Sequence, residues 1–366
     1  MSKLIPIARP VIGEEEKAAV LRVLQSGFLA QGERVREFED LFSRFVGTKT
    51  AVATSSGTSA LHSALHALGL KPGDEVILPA ITFFSCASMV AACGATPVVV
   101  DVGEEDYGLD PERASEAVTS ATKAVMAVHM YGQPANMRAV LDLAEDDELF
   151  VIEDACQAHG ARYGGSVVGS IGTVGCFSFY PTKIISTGEG GMVTTDDEEI
   201  AVQCRMFRDQ GASKKYHHEF LGYNYRMTDM AAAIGIEQLK KIDAFIQARV
   251  RNAAYLTKVL EEIEGIEAPK VMSGRSHVFY QYVLRVDDDF PLGRDDVVAG
   301  LREAGVESRP CYPMPIHKQR AFRSFGRSRE CPVAERIVSQ MLEIPVHPSL
   351  SSSDLETIAR ALTALC

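Results

Sequence analysis

The sequence predicts an α/β fold: a large domain on a mostly parallel seven-stranded sheet, followed by a smaller C-terminal α/β domain. Three observations carry this. Short apolar runs of strand length alternate with stretches of helical periodicity from residue 51 to residue 195, the order that lays parallel strands side by side beneath helices. An Ala-rich helical tract over 227–263 reads as a bridge to a second unit. At 366 residues the chain is longer than one hydrophobic core ordinarily serves. The expected division is 1–245 for an N-terminal segment and the large domain, and 246–366 for the small one.

Taken in order, residues 1–11 are extended and punctuated by Pro6 and Pro10. Glu14–Gln25 reads as a helix with acidic residues in its first turn and Val20, Leu21 and Leu24 on one face. A loop over 26–32 leads to a second amphipathic helix, Arg34–Phe45. A strand at 51–54 is followed by a helix carrying Leu61, Leu65 and Leu68 at helical spacing, with Gly69 near its end. Strands near 75, 97, 124 and 149 then alternate with helices Ser85–Cys93, Pro111–Val118 and Met137–Ala144. Val174–Phe179 and Gly191–Thr195 follow each other without a helix, so one of them is expected to run antiparallel. The C-terminal part holds a strand in FYQYVLRV and helices at Arg294–Ala304 and Ser352–Leu365.

Composition narrows the function. Hydrophobic residues make up 46% and charged residues 23%, as in an ordinary soluble globular protein. A net charge of −12 without a long basic run argues against nucleic acid as the main partner. No apolar run approaches the ~20 residues that span a bilayer. MSKLIPIARP has no apolar segment of the secretory kind, and the eight Cys form no CxxC pair and no ligand-like cluster. The expectation is a cytoplasmic chain with reduced core thiols and no metal.

The chemistry concentrates between Leu149 and Thr195. Leu149–Ile152 reads as a buried strand ending on Glu153 and Asp154, and Lys183 lies in a loop of turn residues between two further strands. A lysine amine forms a Schiff base with an aldehyde cofactor. A carboxylate paired with a protonated pyridine nitrogen keeps such a ring electron-withdrawing. Taken alone, these two residues read rather as a solvated strand end and a surface lysine. Ser56-Gly57-Thr58 follows a strand and opens a helix, which is either an anion site or plain N-capping. Phe83 ends another strand, where an aromatic is either core or a ring-stacking group.

The wording around these residues decides between the readings. EDACQAHGA (153–161), FSFYPTK (177–183), TGEGGMV (187–193) and GYNYRMTDMAAAIG (222–235) resemble, in order, the signatures of the DegT/StrS-type sugar aminotransferases. The similarity runs from IPIARPVIGEEE to ECPVAERIVSQMLEIPVHPSL, nearly the whole chain. The resemblance implies the aspartate aminotransferase fold (fold type I) and pyridoxal 5′-phosphate (PLP) as cofactor. It makes Lys183 the Schiff-base lysine and proton shuttle, whose task a depressed pKa would suit. It makes Asp154 the ring-nitrogen partner and Gln157 the residue bonded to the phenolic oxygen. It places Gly57, Thr58 and Ser178 on the phosphate and Phe83 on the ring. Asn224 would reach the phosphate of a neighbouring subunit, implying a homodimer with shared active sites.

Substrate contacts are implied more loosely at His159, Tyr216, Arg226, Arg309 and His317. His159 reads either as a group holding Asp154 or as a satisfied buried histidine. The 213–220 stretch reads either as a solvated loop or as a contact for a nucleotide diphosphate.

The implied reaction takes an amino group from glutamate, leaving 2-oxoglutarate, and gives it to a keto sugar. NYRMT is worded more like relatives acting on nucleotide-linked 4-keto-6-deoxysugars, of the perosamine type, than like 3-keto enzymes. A 3-keto sugar nucleotide or a cyclitol (inosose) is the alternative acceptor. A non-catalytic regulator that binds PLP or a sugar nucleotide is the alternative from another class, although Lys183, Asp154, Gln157 and Ser178 are all intact.

Overall fold

The computed structural model describes residues 4–365. All seven expected strands form: β1 (Thr50–Thr54), β2 (Glu75–Pro79), β3 (Thr96–Val100), β4 (Thr122–Val128), β5 (Phe150–Asp154), β6 (Val174–Ser178) and β7 (Gly191–Thr195). They lie in the order β1-β7-β6-β5-β4-β2-β3, and a short eighth strand, Arg327–Ser328, adds itself parallel to β3. That edge strand was not expected. Two residues carry no period, and an Arg327–Glu75 ion pair fastens the segment there. β7 is antiparallel to both of its neighbours, and the other six expected strands share one direction.

Alternation along the strands sorts the helices. Val76 and Leu78 of β2 pack into a core that also holds Leu61, Leu65 and Val90. The chain opens with helices α1 (Glu14–Ser26) and α2 (Glu33–Val46), and these three residues come from the next two, α3 (Gly57–Ala67) and α4 (Ser85–Ala92). Ile77, between them, points to the other face and packs with Val140 and Leu143 of a helix over Met137–Asp146. Near β1 and β7 that second face is covered by Phe38 and Phe42 from the helix Glu33–Val46.

Two helical expectations need correction. In the first helix, Glu14–Ser26, the buried residues are Glu16, Ala19 and Val23, while Leu21 and Leu24 are exposed. The tract 227–263 is not one helix but two, Asp229–Leu239 and Ile242–Leu260, broken at Lys240 and Lys241. One set of contacts explains both. Glu16 is buried because it takes the Lys241 ammonium at 2.8 Å and the Gln238 amide at 2.7 Å. The first helix therefore turns its Glu16 face to the break, and its leucines face away. Asp229 begins the first of these two helices and caps another helix in trans, accepting Gly32 N–H at 2.7 Å and Val35 N–H at 3.1 Å.

The C-terminal part builds a four-stranded antiparallel sheet in the order 266–267, Tyr282–Val286, Met341–Ile344, 309–310. Helices Ile242–Leu260, Arg294–Glu303 and Ser352–Thr363 pack against it around Leu284, Leu342 and Leu256. Ile5, from the start of the chain, is buried in the same core. No helix among the described residues is long and apolar enough to cross a membrane.

Candidate active site

The carboxyl ends of β1, β5 and β6 and the loop after β2 open on one cavity of about 900 Å³. This is where an open α/β sheet places a ligand. On one side α3 begins. Ser56 caps it, its hydroxyl accepting Ser59 N–H at 3.1 Å while Ser59 Oγ accepts Ser56 N–H at 2.8 Å. The Gly57 and Thr58 amides, among the orphan donors of the first turn, line the cavity. Position 57 has room only for glycine, because a Cβ there would lie 2.6 Å from the Cβ of Ser178. The start of α3 and the end of β6 are thus held in contact, with two free amides and two hydroxyls on one wall.

Asp154 is the last residue of β5 and is 3% exposed. Its Oδ1 accepts Cys156 N–H at 3.0 Å and its Oδ2 accepts the Cys86 thiol at 3.0 Å. Burial, then the neighbouring Asp154 charge, pushes the Cys86 thiol far above its ordinary range and keeps it a donor. Gln157 accepts Tyr131 N–H at 2.9 Å and donates to the Tyr312 hydroxyl at 3.3 Å.

Lys183 opens on the same cavity, its Nζ 4.2 Å from the centre of the Tyr280 ring. Burial opposes its charge, but Tyr280, Cys156 and Asp154 outweigh burial and hold the ammonium above its ordinary value of 10.5. The expectation of a depressed amine is corrected: its acidic neighbours reverse the sign.

Gly57, Thr58, Phe83, Asp154, Gln157, Ser178, Lys183 and Arg309 all line this cavity. Phe83 stands at its rim, 57% exposed. Arg309 reaches it while bonded to Glu343 at 3.0 Å. Five other residues do not line it. His159 is fully buried among Phe42, Phe177 and Phe179, and burial with the nearby Lys183 charge drives it down to about 3. The partners of Asp154 are Cys86 and Cys156, not His159. His317 is bonded to Glu335 at 3.1 Å. Tyr216 tips an exposed hairpin, Ala212–Lys214 with His217–His218, where a loop was expected. Asn224 is exposed, and Arg226 is paired with Asp209.

The sequence reading missed Tyr280, Gln281, Cys86 and Cys156 on or beside the cavity. Tyr280 and Gln281 sit in a run read only as a strand, and the thiols were read only as core.

A floor carboxylate, a lysine amine and an anion-holding wall in one cavity are the parts a PLP enzyme needs, and the comparisons agree. The DegT/DnrJ/EryC1/StrS aminotransferase family model matches residues 10–363. The chain belongs to that family.

Three curated relatives cover the chain almost fully. A pleiotropic regulatory protein of Geobacillus stearothermophilus is 38% identical, spanning 95% of each chain. GDP-perosamine synthase of Caulobacter vibrioides is 38% identical over 98% of this chain and 97% of its own. UDP-N-acetyl-3-dehydro-alpha-D-glucosamine 3-aminotransferase of Acidithiobacillus ferrooxidans is 36% identical over 95% and 93%. Among solved structures, S. venezuelae DesV in complex with a ketimine intermediate superposes with a TM-score of 0.91 at 36% identity, covering 96% of this chain and 94% of that one. The protein is a PLP-dependent sugar aminotransferase with the fold type I architecture. Its relatives' names divide between sugar types, so the family alone does not choose the acceptor.

Proposed function

We infer that the protein moves an amino group from glutamate to a nucleotide-linked 4-keto-6-deoxysugar, giving a perosamine-type amino sugar. It works in the cytoplasm as a homodimer with shared active sites. The observation that carries the reading is the convergence of Lys183, Asp154 and the Gly57–Ser178 contact on one cavity. The full-length similarity to GDP-perosamine synthase favours the 4-keto acceptor.

The residues present fit PLP. The missing Cβ of Gly57 lets two backbone amides and the Thr58 and Ser178 hydroxyls face one anion. Asp154 spends only one bond on each oxygen, which leaves lone pairs for a protonated ring nitrogen. When bound, PLP supplies an electron sink for the pair released as a C–H bond breaks. The chain does the rest. Gly57, Thr58 and Ser178 hold the phosphate, and Asp154 keeps the ring nitrogen protonated. Gln157 bonds the phenolic oxygen with its amide, and Phe83 covers the ring face. Lys183 Nζ, as the neutral amine, would take the proton from the donor carbon, hold it as the ammonium its surroundings favour, and give the same proton back on the other side of the transfer.

Arg309, half exposed on the cavity wall, suits an anionic group of donor or acceptor. Asn224, Tyr216 and Arg226 lie outside their own chain's cavity, which suits service to a second copy. His159 and His317 receive no substrate contact in this reading. The large unit, 1–245, holds the cofactor, and the small unit, 246–366, closes the cavity with Tyr280, Arg309 and Tyr312. A 3-keto sugar nucleotide is the second reading, favoured by the relative named as a 3-aminotransferase.

The test is a visible absorption spectrum of purified protein before and after glutamate, beside Lys183→Ala. A cofactor band that glutamate bleaches, and that the variant does not form in the same way, is the expected result. No band after added PLP overturns the assignment. Turnover of matched 4-keto and 3-keto sugar nucleotides then separates the two acceptors.

A further inference from the structure

Tyr280 belongs to none of the motifs that mark the site, yet its ring lies against the lysine amine. Its ring centre is 4.2 Å from Lys183 Nζ. Its hydroxyl shares a hydrogen bond of 2.9 Å with Thr182 Oγ1, on the residue directly before the lysine. Its own backbone is fixed, because its carbonyl accepts Arg249 Nη1 at 2.9 Å and Arg249 is 4% exposed. Tyr280 itself is 9% exposed and faces the cavity. One residue of the C-terminal half thus grips the lysine loop at two points.

We propose that Tyr280 is the positioning residue of the reactive lysine: its ring seats the free Lys183 amine, and its hydroxyl ties down the loop that carries it. The inference rests on reading Lys183 as that lysine. The reason is physical. A lysine that serves as proton carrier spends part of each turnover as a free amine on a four-carbon stem with many rotamers. Holding it beside the reacting carbons removes that search. An aromatic face does so without a covalent bond, and it prefers the ammonium form. Against the cost of burial, the Tyr280 hydroxyl acts in the same direction, raising the Lys183 pKa through its charge and its hydrogen bond. The other titratable or charged groups facing the amine are Asp154, Cys156 and His159, with Tyr180, Glu189, Arg309, Cys311 and Tyr312 on the same cavity. All of them stay in place in the variants below, so a difference between variants belongs to Tyr280.

The test compares wild type, Tyr280→Phe and Tyr280→Leu in the full-length chain. After removal of the cofactor, trace acetic anhydride labels Lys183 only as the free amine, and peptide mass spectrometry follows its labelling against pH. Tyr280→Leu is expected to lower the midpoint by about one pH unit. Tyr280→Phe keeps the ring but loses the share of the hydroxyl, so its midpoint falls by less than that of Tyr280→Leu. In the loaded enzyme, Tyr280→Leu slows the glutamate half-reaction by roughly tenfold with little change in KM. Tyr280→Phe slows it by roughly threefold through the lost Thr182 bond.

A wild-type midpoint in Tyr280→Leu overturns the proposal, and so does an equal shift in both variants. If Tyr280→Leu does not fold, Tyr280→Met fills the space without a π face and is judged by the same criteria. Borohydride fixation of the cofactor, followed by peptide mapping, tests the underlying reading separately. A label on another lysine sinks the role of Lys183, whereas a label on Lys183 with an unmoved midpoint sinks only the role of Tyr280.

Discussion

Glu153 and Asp154 are adjacent, both carboxylates, both at the end of β5, and both almost fully buried. Their surroundings are opposite. Successive strand residues point to opposite faces. Glu153 faces into the protein and is saturated: it takes His129 Nε2 at 2.9 Å and the amides of Gly169, Ile171 and Gly172 at 2.8, 2.7 and 2.6 Å. Asp154 faces the cavity with one backbone amide and one thiol. A buried charge whose lone pairs are all spent holds structure together. A buried charge left under-satisfied in a cavity is kept for a ligand.

The largest effect is expected where the charge is saturated. In Glu153→Gln, the NH2 group meets two donors whichever way it sits, either the Ile171 and Gly172 amides or the Gly169 amide and His129 Nε2–H. The cost is about 3–5 kcal/mol in unfolding free energy, with the 169–172 turn loosened. Burial alone would raise the pKa of Glu153, but His129 and the Gly169 and Gly172 amides lower it below 4.5. A folded value below the unfolded one stabilises fully above the unfolded value, and that stabilisation is lost as pH falls through the folded value. Denaturant unfolding of wild type and variant should therefore differ most at neutral pH and converge in the acid range. Equal stability at neutral pH would show that the four bonds do not hold that turn.

Asp154→Asn reverses the profile. The amide oxygen still accepts Cys156 N–H, so the unfolding midpoint should move little or rise, as expected when a strained functional charge is removed. Turnover should fall by roughly a hundredfold or more, because the ring nitrogen loses its counter-charge. The pair of measurements sharpens the comparison only if they diverge. A variant that loses stability and activity together would place Asp154 in the same class as Glu153.

This pair also marks how far the sequence could be read. Strand period and strand ends are local, so β5, its two terminal carboxylates and the lysine loop were visible in the chain itself. The glycine at 57 was visible as a helix start, but not its reason, which is the Ser178 Cβ that any Cβ at 57 would meet at 2.6 Å. Which carboxylate is saturated depends on His129 and on residues 169–172, contacts set by the register of β4 against β5. Tyr280 reaches Thr182 across 98 residues, and its run carries only a strand pattern. The break at Lys240–Lys241 has no Gly or Pro to announce it, because the chain turns there to seat Glu16. The leucines of the first helix misled for the same reason: the buried face is chosen by an ion pair rather than by apolar spacing.

The smallest expected effect tests the weaker half of the Asp154 environment. The Cys86 thiol donates to Asp154 Oδ2 at 3.0 Å and meets Thr82 Oγ1 at 3.1 Å. A thiol is a weak donor, so this bond fixes the rotamer of the carboxylate while taking little of its charge. In Cys86→Ala the site loses one weak bond and a sulfur atom's volume, a cost under about 2 kcal/mol in unfolding free energy. With the rotamer freed, PLP affinity should weaken by roughly threefold, read by equilibrium dialysis of the cofactor. Cys86→Ser supplies a stronger donor at the same place. It should restore the rotamer while drawing more charge from Oδ2. Its PLP affinity should then return to near wild type while its glutamate half-reaction stays slower. If the serine variant matches alanine in affinity, the thiol is packing and nothing more, and Asp154 is held by the Cys156 amide alone.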